Sequence, residues 1–282
     1  MNTLDTLIGK WQESGDEAKL LAYMETPEYR NMPYEDRNRL FITSSKLKGY
    51  EECPLAMKLR YIDGVKPEVE EEDKDYFLVG RALDDRITYG EEAYADKYEM
   101  VARRTKDAEK IQLTNSLAAV VDAAYEEYKR QPMFPKQVMK ANIVWLEDGY
   151  PCKAELDYLE EDHIGDFKLV ANVLDFNPEA YLFQMSFYHF ALLQKGIEAD
   201  ASLFVMDKHK GWSRSHMWRF SVPTLQAQQE RIALLMRQYI GSLKTGMFPM
   251  ADTSTERGRK IAFDNPYYTS RDEFRSFLPS IL

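Results

Sequence analysis

The stretch from Glu155 to Lys168 reads E-L-D-Y-L-E-E-D-H-I-G-D-F-K, and its pattern can bring two of its acids and its lysine to one spot. Leu156, Tyr158, Ile164 and Phe167 are strand formers, and Glu160 to His163 is a polar turn between them. The pattern predicts a β-hairpin. Side chains alternate along a strand, so Asp166 and Lys168 share one face and Phe167 takes the other. The turn is short enough to bring Asp157, on the partner strand, beside Asp166. Two carboxylates converging on one point repel each other unless a cation sits between them. Hard oxygen ligands of this kind suit Mg²⁺ or Mn²⁺. A lysine beside such a metal can hold or polarise the water that attacks a phosphodiester. A solvated hairpin with ordinary surface charges accounts for the same residues, because D-x-K triplets are common.

The elements that follow bear on that choice. Asn177 to Gln194 (N-P-E-A-Y-L-F-Q-M-S-F-Y-H-F-A-L-L-Q) reads as a helix capped by Asn177 with Pro178 at its first position. Gln184 and Tyr188 stand four apart in it, on one helix face. The order D, D-x-K, Q-x-x-x-Y on a hairpin and a following helix resembles the PD-(D/E)XK nuclease superfamily. Its RecB-like branch includes RecE-type and phage recombination exonucleases and the nucleases of CRISPR spacer acquisition. Ile42 to Tyr61 (I-T-S-S-K-L-K-G-Y-E-E-C-P-L-A-M-K-L-R-Y) is similar to the segment with which RecB-like nucleases often begin. Phe77 to Asp85 (F-L-V-G-R-A-L-D-D) stands where the family carries G-x-x-x-H, whose histidine binds a metal. Here Gly80 is followed by Asp84 in the histidine's place. An aspartate can serve through oxygen. Asp85 is the neighbouring alternative, about 100° further around a helix, and a solvated helix residue is the plain reading of Asp84.

The resemblance spans Thr43 to Phe248. It implies an α/β fold with a PD-(D/E)XK restriction-endonuclease-like core, a central mixed β-sheet flanked by helices. It implies that Asp157, Asp166 and the backbone carbonyl of Phe167 hold one or two Mg²⁺ or Mn²⁺ ions, with Asp84 adding a ligand. Lys168 would orient the attacking water or stabilise the transition state. Gln184 and Tyr188 would contact DNA and orient Lys168. Glu155 is a further candidate on the strand face of Asp157, or a surface glutamate. The implied activity is a metal-dependent exonuclease acting on double-stranded DNA ends in phage-type recombination or repair. A structure-specific or CRISPR-type endonuclease, a non-catalytic DNA-end-binding protein with a nuclease fold, and an unrelated metal-dependent hydrolase are the competing readings. The resemblance also suggests a homo-oligomeric ring and a single-strand annealing protein as partner.

Composition narrows the setting. Hydrophobic residues make up 44% and charged residues 30% of 282 residues, as in globular proteins. No apolar run approaches bilayer length, and the N-terminus lacks the basic start and apolar core of a signal peptide. A cytoplasmic location, bacterial or in a phage-infected host, with no membrane partner, is therefore expected. The two cysteines, Cys53 and Cys152, cannot supply the four ligands of an iron–sulfur cluster, and Cys53 reads as a small buried apolar residue. The net charge of −10 argues against nonspecific coating of nucleic acid, although a locally basic passage would suffice for an enzyme. Two basic groups are candidates: Arg103, Arg104 and Lys106, and Lys208, His209, Lys210 and Arg214 with Trp212 and Trp218 interleaved. Each also fits solvated surface charge. The acidic run Glu68 to Asp75 reads as a solvated linker.

Along the chain, residues 1–40 read as an accessory helical segment broken at Pro33, 41–250 as the nuclease domain and 251–282 as a tail or inter-subunit arm. Thr43 or Ser44 caps a helix. Further helices are expected over Phe77 to Ala93 and Asp107 to Arg130. A meander follows: Gln137 to Leu146, an Asp148-Gly149 turn, Tyr150 to Leu159, and Ile164 to Val170. Strands Ala201 to Met206 and His216 to Val222 and a helix from Pro223 to Lys244 complete the core.

Overall fold

The computed structural model describes residues 17–65, 75–105, 108–136, 140–160 and 162–251, with four positions between 254 and 260. Residues 1–16, the acidic run up to Lys74, Lys106 and most of the tail after Ala251 lie outside the described residues.

In chain order the helices and strands are α1 (Glu17–Met24), α2 (Pro27–Arg30), α3 (Tyr34–Arg39), α4 (Ser44–Glu52), α5 (Pro54–Tyr61), α6 (Asp75–Lys97), β1 (Tyr98–Val101), β2 (Ile111–Thr114), α7 (Asn115–Arg130), β3 (Ala141–Glu147) and β4 (Tyr150–Leu156). Then come β5 (Tyr158–Glu160), β6 (His163–Val170), a 3₁₀ turn (Val173–Asp175), α8 (Glu179–Leu193), β7 (Asp200–Asp207), β8 (Ser215–Phe220), α9 (Val222–Gln226) and α10 (Gln229–Thr245). No described helix is long and apolar enough to cross a membrane. The chain forms two compact units, each discontinuous in sequence: Met1–Glu70 with Ile143–Ala154 and Ala227–Leu282, and Glu71–Asn142 with Glu155–Gln226.

The second unit is built on a mixed sheet of strand order β5-β6-β7-β8, in which β6 and β7 run parallel and the outer pairs antiparallel. A parallel pair needs a crossover, and α8 supplies it. The register aligns Phe167 with Phe204 and Leu169 with Met206. These four side chains pack against Val79, Leu83, Val121 and Tyr128 of α6 and α7. Alternation then sends Asp166 and Lys168 to the opposite face, the side from which α8 reaches the sheet. Full burial of each large apolar side chain here stabilises the unit by roughly 1.5–3 kcal/mol. Gly165 has a steric duty: a Cβ there would lie 2.4 Å from the Phe204 ring and 3.0 Å from the Tyr158 ring.

Several elements depart from their sequence expectation. Ile111–Thr114, expected in a helix, instead forms β2, parallel to β1. Tertiary pairing has overridden the helical pattern at the front of α7. The expected strand Tyr150 to Leu159 is broken at Asp157, between β4 and β5. The helix from Pro223 divides into α9 and α10. α6 carries a kink at Gly90, whose φ of 85° suits glycine. Other local signals hold: Thr43 Oγ1 accepts from the Lys46 N–H, Asn177 Oδ1 from the Glu179 N–H, and Asp148 and Gly149 take φ values of 51° and 79° in their turn.

The carboxylate of Asp207, fully buried at the end of β7, accepts from Arg214 Nε at 2.7 Å and from the Val173 N–H. It thus ties the turn after β6 to the end of β7. Asp207→Ala would strand the Val173 N–H, whereas the half-exposed Arg214 guanidinium keeps its bond to Asn172 Oδ1. Leaving that buried N–H donor without a partner costs about 1–3 kcal/mol, the loss expected in urea denaturation.

In the first unit, Leu20, Tyr29, Leu40, Phe41 and Val144 form an apolar cluster. Cys53 is buried, as expected of a small apolar residue, and its Sγ also accepts from the Ala56 N–H at the start of α5. Lys46 is 1% exposed, and its ammonium donates to the Phe41 and Arg39 carbonyls at 2.7 and 3.1 Å. Burial, then the positive charges of Lys153 and Arg39, pull it down to about 7.

Candidate active site

The break at Asp157 is the centre of the site. β5 and β6 pair from Glu160↔His163 to Tyr158↔Gly165 and no further. At the next position the Asp157 carboxylate replaces a ladder carbonyl and accepts the Phe167 N–H at 3.0 Å. In an extended strand a residue's N–H and C=O point to the same edge, so the Phe167 carbonyl is turned toward the same edge of β6. The side chain of Asp157 is therefore fixed by backbone geometry, where an uninterrupted strand would have buried or exposed it by parity.

Asp166 lies one residue before, 2% exposed. Its Oδ1 accepts from Gln184 Nε2 at 3.0 Å. Its Oδ2 makes no hydrogen bond of good geometry and instead meets the Lys168 ammonium as an ion pair. Gln184 also donates to the Tyr188 hydroxyl at 2.6 Å, so the helix face expected from the four-residue spacing is assembled against Asp166. Tyr188 is 7% exposed, which gives it a holding role toward Gln184. The Lys168 ammonium stands 5.1 Å from the ring centre of Tyr181, and Tyr181 stacks on Phe176.

Asp84 and Asp85 part company on α6. Asp85 is buried and accepts from Tyr98 Oη at 2.5 Å and Lys97 Nζ at 2.7 Å, which commits it to packing against β1. Asp84 is half-buried and pairs with Lys140, and its charge raises the Asp157 carboxyl. Glu155 is exposed, and its charge reaches Tyr188.

The electrostatics match convergence of acids. Burial, then the charges of Asp166 and Asp84, push the Asp157 carboxyl above the usual carboxylate range, against the Phe167 N–H and Lys168, which favour the anion. For Lys168, burial works against the charge, yet the adjoining Asp166 and then Asp157 hold it above the ordinary lysine range. Burial raises the Tyr188 hydroxyl well above its usual value, with Asp166 adding to it.

Does this donor set suit a divalent cation? Two carboxylates in mutual repulsion and a carbonyl on the same edge form an oxygen cradle whose negative charge the Lys168 ammonium offsets only in part. Mg²⁺ is commonly held by one or two carboxylates and keeps several waters. Asp157 and Asp166 fit that requirement. Among the described residues no group of three or more His, Cys, Asp or Glu side chains is placed to hold an ion.

Two residues escaped the sequence reading. Lys140 is 56 positions from Asp84, and no local spacing announces it. Tyr181 had a signal: with Gln184 and Tyr188 it follows the i, i+3, i+7 spacing of one helix face. Within the basic clusters one arginine of each has an acidic partner. Arg104 pairs with Asp75 at 2.8 Å, Arg214 with Asp207, and His209 stacks on Trp212 at 4.1 Å. Trp212 remains 48% exposed.

No protein-family model matches the sequence, and no curated protein matches it. In fold the chain is similar to a crystal structure from Eubacterium rectale described as "Putative exonuclease", with a TM-score of 0.61 and 16% identity over 83% of this chain and 92% of that one. At that identity the likeness establishes a shared mixed α/β fold.

Proposed function

We propose that the chain is a metal-dependent deoxyribonuclease with a PD-(D/E)XK core of the RecB-like branch, hydrolysing phosphodiesters at double-stranded DNA ends. The observation that carries this reading is the meeting of Asp157, Asp166 and Lys168 at the break beside β6, with Gln184 gripping Asp166 from the crossover helix. The fold it shares with a structure described as an exonuclease supports it.

Asp157, Asp166 and the Phe167 carbonyl would hold Mg²⁺ or Mn²⁺. The bound ion supplies a water of lowered pKa and charge neutralisation at the phosphate. Lys168, kept protonated by Asp166, donates to the attacking water or to a phosphate oxygen. Gln184 fixes the Asp166 rotamer, and Tyr188 fixes Gln184. Tyr181 steadies the Lys168 ammonium through its ring face, an interaction of about 0.5–2 kcal/mol.

Linear and covalently closed circular duplexes of one sequence, incubated with Mg²⁺ or Mn²⁺, test the reading. Nucleotides are expected from the linear form alone. Cutting of the circle would make the enzyme an endonuclease, and inertness toward both with either metal would remove the nuclease assignment.

A further inference from the structure

We propose that the surface beyond the carboxyl ends of β6 and β7 is a site for single-stranded DNA, with bases on Tyr76, Phe77 and Trp212 and a phosphate on Lys208. The proposal rests on the nuclease reading above, which supplies DNA as the ligand, and its test needs no metal.

The surface is linked contact by contact. Tyr76 and Phe77, at the start of α6, have ring centres 4.1 Å apart. The Lys208 ammonium stands 5.0 Å from the Tyr76 ring centre. His209, next in the chain, stacks on Trp212, and the Arg214 guanidinium stands 5.2 Å from the Trp212 ring centre. All six residues belong to the second unit. Backbone pairing sets their place on the sheet. β6 ends at Val170 and β7 at Asp207, which are register partners, and the Lys208 N–H donates to the Val170 carbonyl at 2.7 Å. Lys168 is two residues before Val170, about 7 Å back along the strand. In open α/β sheets, ligands bind outside the carboxyl ends of the parallel strands.

The chemistry of the surface names its occupant. Tyr76 is 42% and Phe77 50% exposed, and Trp212 is as open as either. Three large rings left in water on one connected surface mark an interaction site, where scattered ones would not. Cations lie between the rings. Burial lowers the Lys208 ammonium below the ordinary lysine range, and no carboxylate of the described residues opposes it. A phosphate oxygen there would supply the missing negative charge. Arg214 is tied to Asp207, which fixes its guanidinium beside the Trp212 ring. Rings interleaved with cations fit unpaired nucleotides, because every base offers a π-face and every phosphate a charge. Bases within a duplex are stacked on one another and offer only their edges in the grooves. The surface therefore selects a single strand, such as an overhang at a DNA end.

Fluorescence anisotropy on the full chain in EDTA tests the proposal, with a labelled oligothymidine of about 20 nucleotides as the probe. Wild type is expected to bind this strand more tightly than a blunt duplex of the same length. Trp212→Ala and Phe77→Ala are each expected to weaken strand binding by about tenfold and to leave duplex binding unchanged. Lys208→Gln is expected to weaken it and to lower the slope of log affinity against log salt by about 0.7, the share of one phosphate on a single strand. Phe77→Ala carries the test should Trp212→Ala lose its circular dichroism spectrum. A strand that binds no better than the duplex overturns the proposal. So do ring variants that bind the strand as wild type does, or that lose strand and duplex binding equally. Cleavage of linear duplex with metal would stand in each of those cases. Strand binding that depends on the rings, in a protein inert toward both duplex forms, would sink the nuclease reading alone.

Discussion

Lys168→Ala is expected to lower metal-dependent cleavage of linear duplex DNA by ~100-fold or more, the scale seen when one preorganised electrostatic donor is removed from an active site. The argument is positional. Lys168 is two residues from Asp166 on one strand face, ion-paired with it, and steadied by the Tyr181 ring. Its charge survives burial because Asp166 and Asp157 lie against it. Alanine removes the ammonium paired with Asp166 without touching the Asp157–Phe167 or Gln184–Asp166 bonds, so the frame of the site persists. The variant is expected to keep its circular dichroism spectrum and to bind Mn²⁺ at least as tightly as wild type, since a positive neighbour has gone. Cleavage at the wild-type rate would remove the chemistry assigned to Lys168.

The second large effect is on stability. Lys46 is held near 7 in the folded protein against about 10.4 for an unperturbed lysine. Between these values the unfolded chain binds a proton at this position and the folded chain does not. Stability must therefore rise as pH increases through this window, and below about 7 the full penalty of a buried ammonium is present. From pH 7 to 9 the gain is expected to be on the order of 2–3 kcal/mol, about 1.4 kcal/mol for each pH unit inside the window. Above that range Cys152 opposes the trend, because burial raises its thiol well above the ordinary value and its ionisation on unfolding favours the unfolded chain. Urea midpoints at pH 7 and 9 measure the difference. Lys46→Met should flatten it while lowering stability overall, since the Arg39 and Phe41 carbonyls lose their donor. A wild-type midpoint that falls between pH 7 and 9 would show that Lys46 is charged in the fold.

Much of the site was legible because its signals are local. Two-residue alternation placed Asp166 with Lys168 and away from Phe167, and four-residue spacing placed Gln184 with Tyr188. Turn chemistry put Asp148 and Gly149 in a left-handed turn. These follow from the periods of strand and helix, which any short window of sequence carries.

The sequence alone determined the hairpin, the motif helix and which of its residues share a face, because backbone geometry repeats within a few residues. Tertiary structure decided the rest. It broke the strand at Asp157 so that a carboxylate could take a ladder position. It set Asp85 into the packing around Tyr98 and left Asp84 outside it. It brought Lys140 across 56 residues to Asp84, and it drew Ile111–Thr114 from a helical pattern into a parallel pair. Each of these depends on partners distant in the chain. Their energies enter only once the sheet and helices have closed on one another, and no local pattern encodes them.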